Sequence, residues 1–267
     1  SSTTSSTRAR LKPPGTEERA VDSPLRVRDV RSSRGPAWLA GGWGHFRRSP
    51  LVWMGLSAGW MLITLALVLV PVIGGVVANL LQPVFFASFA MAARRQLDGE
   101  APEMGDLFLG FRRPLRPLVN LGAILLVAEI AIFFLMSMLG LPGVSDAEEV
   151  ATLADYVSAL QGKEWILVVG VLLTALVKGA LWFAPALLAF HDITTAHAIR
   201  WSLFAAVSNL GAMLAYGIAL TVVFVAGALP WGLGLLVVIP VMVASTYTGY
   251  AEVFEETGEA PAPATPD

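Results

Sequence analysis

The sequence predicts an all-α fold: a polytopic membrane bundle of six transmembrane helices, built as three parallel two-helix hairpin repeats with short interfacial helices between them. Three observations carry this. The chain of 267 residues is 55% apolar and only 14% charged, where soluble domains carry about 25% charged residues. Residues 51–91 contain no Asp, Glu, Lys or Arg, twice the roughly 20 residues that cross a bilayer core of about 30 Å. A pattern also returns three times: Gln82-Pro83-Val84-Phe85-Phe86-Ala87, Ala184-Pro185-Ala186-Leu187-Leu188-Ala189 and Ile239-Pro240-Val241-Met242-Val243-Ala244. Each copy follows an earlier apolar stretch opened by Trp53-Met54-Gly55, Asn120-Leu121-Gly122 or Asn209-Leu210-Gly211. The glycine-to-proline spacing is 28 in the first unit, 29 in the third and 63 in the second, where a polar insertion intervenes.

In chain order, residues 1–35 are rich in Ser, Thr, Arg, Pro and Glu and carry too little apolar surface to offset their ordering entropy, so a disordered tail is expected. The aromatic, basic stretch 36–48 suits a segment lying among lipid headgroups. Ser49-Pro50 reads as N-cap and first helical residue. Span 1 then covers about 51–70 and turns at Pro71-Val72-Ile73-Gly74-Gly75, and span 2 covers about 76–93. A short helix is expected at 104–111, span 3 at 117–139 and an amphipathic helix within 144–164, where Val150, Leu153, Val157 and Leu160 recur at helical spacing. Span 4 is expected at 165–190, an interfacial helix at 194–207, span 5 at 209–229 and span 6 up to about 250. The acidic, proline-rich end, 257–267, reads as a second tail, leaving 36–256 as the transmembrane domain.

Orientation follows from the basic residues. Sixteen of the 18 lie before span 1 or in the connectors after spans 2 and 4; Lys163 lies in a far-side loop and Lys178 within a span. The positive-inside bias places both termini in the cytoplasm. Arg47, Arg48, Arg94, Arg95, Arg112 and Arg113 are then partners for anionic headgroups rather than for nucleic acid.

Ionisable residues at hydrocarbon depth mark functional sites. Glu129 lies 11 residues below Gly140 and Lys178 lies 13 below Trp165, depths that differ by about 3 Å. An ion pair near the midplane is therefore reachable. It reads as a proton or substrate site, or more plainly as a static pair or a snorkelling Lys178. Pro83, Pro185 and Pro240 each free a carbonyl, near residues 79, 181 and 236. Asn79 and Gln82 stand beside the first break and are candidates to satisfy it, completing a polar intramembrane site with Glu129 and Lys178. The three kinks read as inherited packing bends, or as a gate about a threefold axis. Gly55-Leu56-Ser57-Ala58-Gly59 suits close helix contact within the chain or between chains. His191, Asp192 and His197 lack the further ligands a metal needs, and no phosphate loop or nucleophile elbow occurs, so no metal, cofactor or enzyme activity is expected. The chain has no cysteine, which excludes disulfides and thiolate chemistry.

Taken together, Gly44-His45-Phe46-Arg47-Arg48-Ser49-Pro50-Leu51, Leu107-Phe108-Leu109-Gly110-Phe111-Arg112, Phe183-Ala184-Pro185-Ala186-Leu187 and Ala244-Ser245-Thr246-Tyr247 resemble a family of uncharacterised six-span inner-membrane proteins of Gram-negative bacteria. That family is itself similar to the membrane portion fused to some glycerophosphodiester phosphodiesterases, whose soluble catalytic domain has no counterpart here. The resemblance implies a bacterial inner-membrane location and supplies no catalytic residues. Two functions are expected from the whole reading. One is the handling of a small solute or lipid within the bilayer; the other is a non-transporting scaffold that organises lipids or partner proteins through its interfacial helices.

Overall fold

The computed structural model describes residues 25–141, 160–229 and 231–254. Among these it holds nine α-helices, one 3-10 helix and no strand. They are α1 (Arg34–Arg48), α2 (Pro50–Val68), α3 (Ile73–Leu97), the 3-10 helix (Met104–Arg112), α4 (Leu115–Met138), α5 (Glu164–Ala180), α6 (Ala184–Phe190), α7 (Thr195–Ser208), α8 (Leu210–Ala228) and α9 (Leu235–Phe254). Six helices are long and apolar enough to cross a membrane, α5 and α6 together counting as one. Consecutive spans pack as antiparallel pairs, and the connectors that carry the arginines gather at one end of the bundle. Residues 1–24 of the first expected tail, all of the second (257–267) and most of the helix expected within 144–164 lie outside the described residues.

The six spans are not equivalent. Half of the most apolar window of α3 and 61% of that of α9 are buried, against 11–22% for the other spans. Burial in both inner helices is concentrated from the proline onward. Below Pro83 it takes in Val84, Phe85, Ala87, Ser88 and Phe89; below Pro240 it takes in Val241, Val243, Ala244, Ser245 and Tyr247. The third proline segment, α6, joins them with Ala184, Ala186, Leu187 and Ala189. Phe190 stacks on Tyr250, and Phe183 meets Phe254 edge to face. The arginine end is thus a tight aromatic and alanine-rich core, while most large apolar side chains beyond the prolines are exposed. Lipid offers no hydrophobic drive for helices to associate, so close van der Waals fit at small residues has to hold such a core. Gly42 on α1 and Gly110 on the 3-10 helix show it: a Cβ on Gly42 would strike the Val241 carbonyl of α9, and one on Gly110 the Val84 carbonyl of α3.

Three expectations change. Residues 25–33 do not belong to a free tail. Arg28 N–H donates to Val253 O (3.0 Å), Val30 N–H donates to Asn209 Oδ1 (2.7 Å) and the Asn209 amide donates to Arg28 O (3.0 Å). Leu25, Val27 and Val30 pack on the core. Ser33 precedes a helix rather than a headgroup-bound stretch, and α1 buries Trp38 completely against α8, α9 and Phe183. Span 4 breaks over 181–183, because Pro185 sits in the first turn of a new helix. The Gly55/Gly59 pair makes its close contact within the chain, as expected: added Cβ atoms would lie 2.7 Å from Met104 Sδ and 3.1 Å from Leu107 Cδ2.

Ser202 of α7 mends the broken span. Its hydroxyl accepts from Phe183 N–H (3.1 Å) and donates to Ala180 O (2.8 Å), one residue before the carbonyl expected to be freed. An unpaired backbone group in an apolar setting costs about 1–3 kcal/mol. We therefore expect Ser202→Ala to lower the thermal midpoint of the detergent-solubilised protein by several degrees, while Ser208→Ala, on the same helix, leaves it in place.

Candidate functional site

The polar residues singled out within the spans fall into two separate clefts. In the first, Lys178 Nζ of α5 donates to Glu129 Oε1 of α4 at 2.6 Å. Glu129 lies nine residues below Met138, about 14 Å from that helix end. The pair is not sealed: the side chains are 42% exposed at Lys178 and 30% at Glu129. Glu129 faces a cleft of ≈ 580 Å³ between α4 and α5, within the roughly 300–1,000 Å³ of small-molecule sites. Ile132, Phe133, Met136, Ile166, Leu167 and Val171 make its walls apolar, with Thr174 beside the carboxylate as the second polar side chain.

The second cleft, ≈ 160 Å³, lies between α2 and α3 and holds Asn79 and Gln82, with Trp60 and Thr64 opposite. Asn79 donates to Gly75 O (3.1 Å) in its own helix, so it does not serve the carbonyl near Pro83. The four polar residues singled out in the sequence therefore form two sites: Glu129 meets Lys178, and Asn79 lies with Gln82. Of the prolines, Pro83 lies inside α3 and Pro240 inside α9, while Pro185 opens α6. All three border the packed core, and the aromatic side chains beneath them fill the axis at the arginine end.

At that end the structure shows a buried polar node that the sequence did not single out. His45 (4% exposed) sits where α1, α2, α3 and α9 meet. Its Nδ1 is 2.8 Å from Gln96 Oε1, which also accepts from Trp53 Nε1 (3.2 Å). The Gln96 amide donates to His45 O and to Ser49 Oγ (both 3.3 Å). Burial pushes the His45 pKa below its ordinary 6.5; the Gln96 hydrogen bond opposes this and nearby Arg48 adds to it. Lone polar residues just beyond the apolar run gave no sign of the node. A neighbouring latch ties α1 to α9, with Trp38 Nε1 donating to Glu252 Oε2 (2.8 Å) and Arg34 paired to Oε1. That bond and charge hold the Arg34 guanidinium pKa above its usual value.

His191 Nε2 pairs with Tyr250 OH (2.8 Å) and His197 Nδ1 with Thr194 Oγ1 (3.0 Å). Among the described residues no three His, Asp or Glu side chains gather as metal ligands would. Of the arginines, Arg94 pairs with Asp98 (3.3 Å), and Arg95 with Asp106 and Glu100. Arg47, Arg48 and Arg112 are exposed.

Two outcomes follow. A depressed histidine pKa favours the folded state above the unfolded value, and that contribution is lost as pH falls. The thermal midpoint should therefore drop as the medium is acidified through 6.5, and His45→Phe should flatten that slope in a melting series across pH. Removing one partner of an embedded ion pair leaves a lone charge, whereas removing both does not. Glu129→Leu alone should melt lower than the double variant Glu129→Leu/Lys178→Met.

The chain is 30% identical over 256 residues to a protein of Burkholderia thailandensis named "Probable inner membrane protein"; the match covers 86% of this chain and 92% of that relative. No family model matches the chain. No solved structure matches it either.

Proposed function

The chain belongs to the same family as the Burkholderia inner-membrane protein, and from that premise we propose that it binds a lipid-like molecule in the α4–α5 cleft, without conducting a solute along its axis. One observation carries this reading: the larger of the two clefts opens to the side, with apolar walls and the carboxylate of Glu129, itself paired to Lys178, in its lining. Such a shape suits an apolar chain bearing a hydrogen-bond donor, which the Glu129 carboxylate and Thr174 hydroxyl would receive. An aqueous solute gains nothing from those walls, and the aromatic core at the arginine end blocks its exit. No bond-making step is part of this reading. The basic residues of the connectors support a reading with both termini in the cytoplasm. The three hairpins are read as copies of one unit, since α1 lies on α9 as the 3-10 helix lies on α3 and α7 on α6. The likeness to the membrane portion of glycerophosphodiester phosphodiesterases belongs to this proposal and is not one of its premises.

A second reading, the scaffold, is favoured by the arginine end. Arg47, Arg48 and Arg112 are exposed there and make no ion pair among the described residues. Anionic headgroups are the natural counter-charge. Both readings can hold in one molecule.

The test is native mass spectrometry of the protein released from its own membrane in mild detergent. Wild type should carry a bound lipid. Gly170→Trp should strip it by filling the cleft, since the nearest group there is the flexible Met136 side chain. Glu129→Gln, which loses a charge-assisted hydrogen bond, should weaken retention by about tenfold. A folded Gly170→Trp protein that keeps the same lipid would refute the cleft.

A further inference from the structure

The α2–α3 cleft poses a separate problem, on helices the proposed lipid site does not use. Neither the Trp60 indole, the Thr64 hydroxyl nor the Gln82 amide makes a hydrogen bond among the described residues. Gln82 lies nine residues below Ile73, about 14 Å from the far end of α3 and so near the middle of a hydrocarbon layer of about 30 Å. An amide left unpaired in such a medium costs several kcal/mol by general principle, so an occupant with polar atoms is called for.

Depth and chemistry narrow the occupant. Phospholipid ester carbonyls lie toward the bilayer surface and only accept hydrogen bonds, so they cannot serve both ends of the Gln82 amide. Another amide can, and a primary amide is complementary to itself. A second copy in the same membrane carries Gln82 at the same depth by symmetry, and a twofold axis along the membrane normal sets the two amides face to face. The floor of the cleft allows the approach, because Gly75 and Ala78 lie on the α3 side. The surrounding surface is aliphatic up to the tip, where Leu69 is 75% and Val72 90% exposed.

We infer that a second copy of this chain docks across α2 and α3, with reciprocal Gln82 amide hydrogen bonds at the centre of the seam. Asn79 and Thr64 flank the pair and supply further donors and acceptors across it.

The chain contains no cysteine, so a single introduced thiol reports this contact without background. Ala78→Cys in otherwise wild-type protein should give a covalent dimer in native membranes on mild oxidation or with a short bis-maleimide. In liposomes, energy transfer between labelled copies should follow a monomer–dimer isotherm as the lipid-to-protein ratio rises. Gln82→Leu should weaken that association by about tenfold, and Gln82→Asn should retain most of it. Because leucine is at home in the hydrocarbon, the leucine variant should insert and melt like wild type. Overturning results are a monomer at every dilution, a dimer indifferent to Gln82→Leu, or an uncrosslinked Ala78→Cys protein. A monomer that loses a bound lipid on Gln82→Leu would also overturn the seam, in favour of a lipid slot. Loss of the α4–α5 lipid in the earlier experiment leaves these readouts untouched.

Discussion

Every backbone polar group inside a bilayer has to find its partner within the protein, and Pro83, Pro185 and Pro240 bring that demand to three of the six spans. Pro83 and Pro240 each deprive their helix of one hydrogen bond, and Pro185 opens a new helix where span 4 breaks. The structure responds by packing the segments below Pro83, Pro185 and Pro240 against one another, with short helices laid over them. Ser202 repairs the sharpest break. Ser88 and Ser245 stand five residues after their prolines and pair with Gly110 N–H and Tyr216 OH, tying the inner helices to their neighbours. Alanine, serine and glycine dominate these contacts because only small residues let backbones come close enough for dispersion to replace the missing hydrophobic drive.

A base held this tightly leaves the other half of the bundle free to spread. The first two hairpins share a core at the arginine end and open clefts to the side beyond it, while the third stays closed where Gly227 meets Gly234. The chemistry available to the protein follows from that gradient. Its axis is filled with Trp38, Trp53, Phe183, Tyr247 and Tyr250, all but fully buried. Glu129 with its partner Lys178, and Asn79 with Gln82, instead stand at clefts between spans, where hydrocarbon chains and other helices are. The geometry therefore favours molecules that live in the bilayer over molecules that cross it. Segment 25–33 and α1 close the base, as Asn209 grips the extended backbone through both of its amide atoms.

Some of the candidate site was legible beforehand because helical rise converts residue number into depth. Glu129 and Lys178 fall at similar levels in consecutive spans, so their meeting is nearly a consequence of counting. Asn79 and Gln82 match them in depth, but rotation about a helix axis decides which neighbour a side chain faces, and that angle is set by packing partners far along the chain. Gln96, Ser202 and Asn209 were silent for a related reason. A polar residue near a helix end is commonplace in sequence; it gains a role only when a distant backbone group is brought within 3 Å or so.

Taken alone, the order of residues determined the medium, the number of crossings, the positions of the kinks and the clustering of arginines in alternate connectors. All of these depend on local composition and on fixed rise per residue, which any lipid-embedded helix obeys. Tertiary structure decided the rest: which spans lie inside, that the stretch before the first span is a buried plug, and that the polar residues divide between two clefts. Those outcomes depend on how closely two backbones can approach at a given pair of residues, a property of surfaces in contact that no single segment carries.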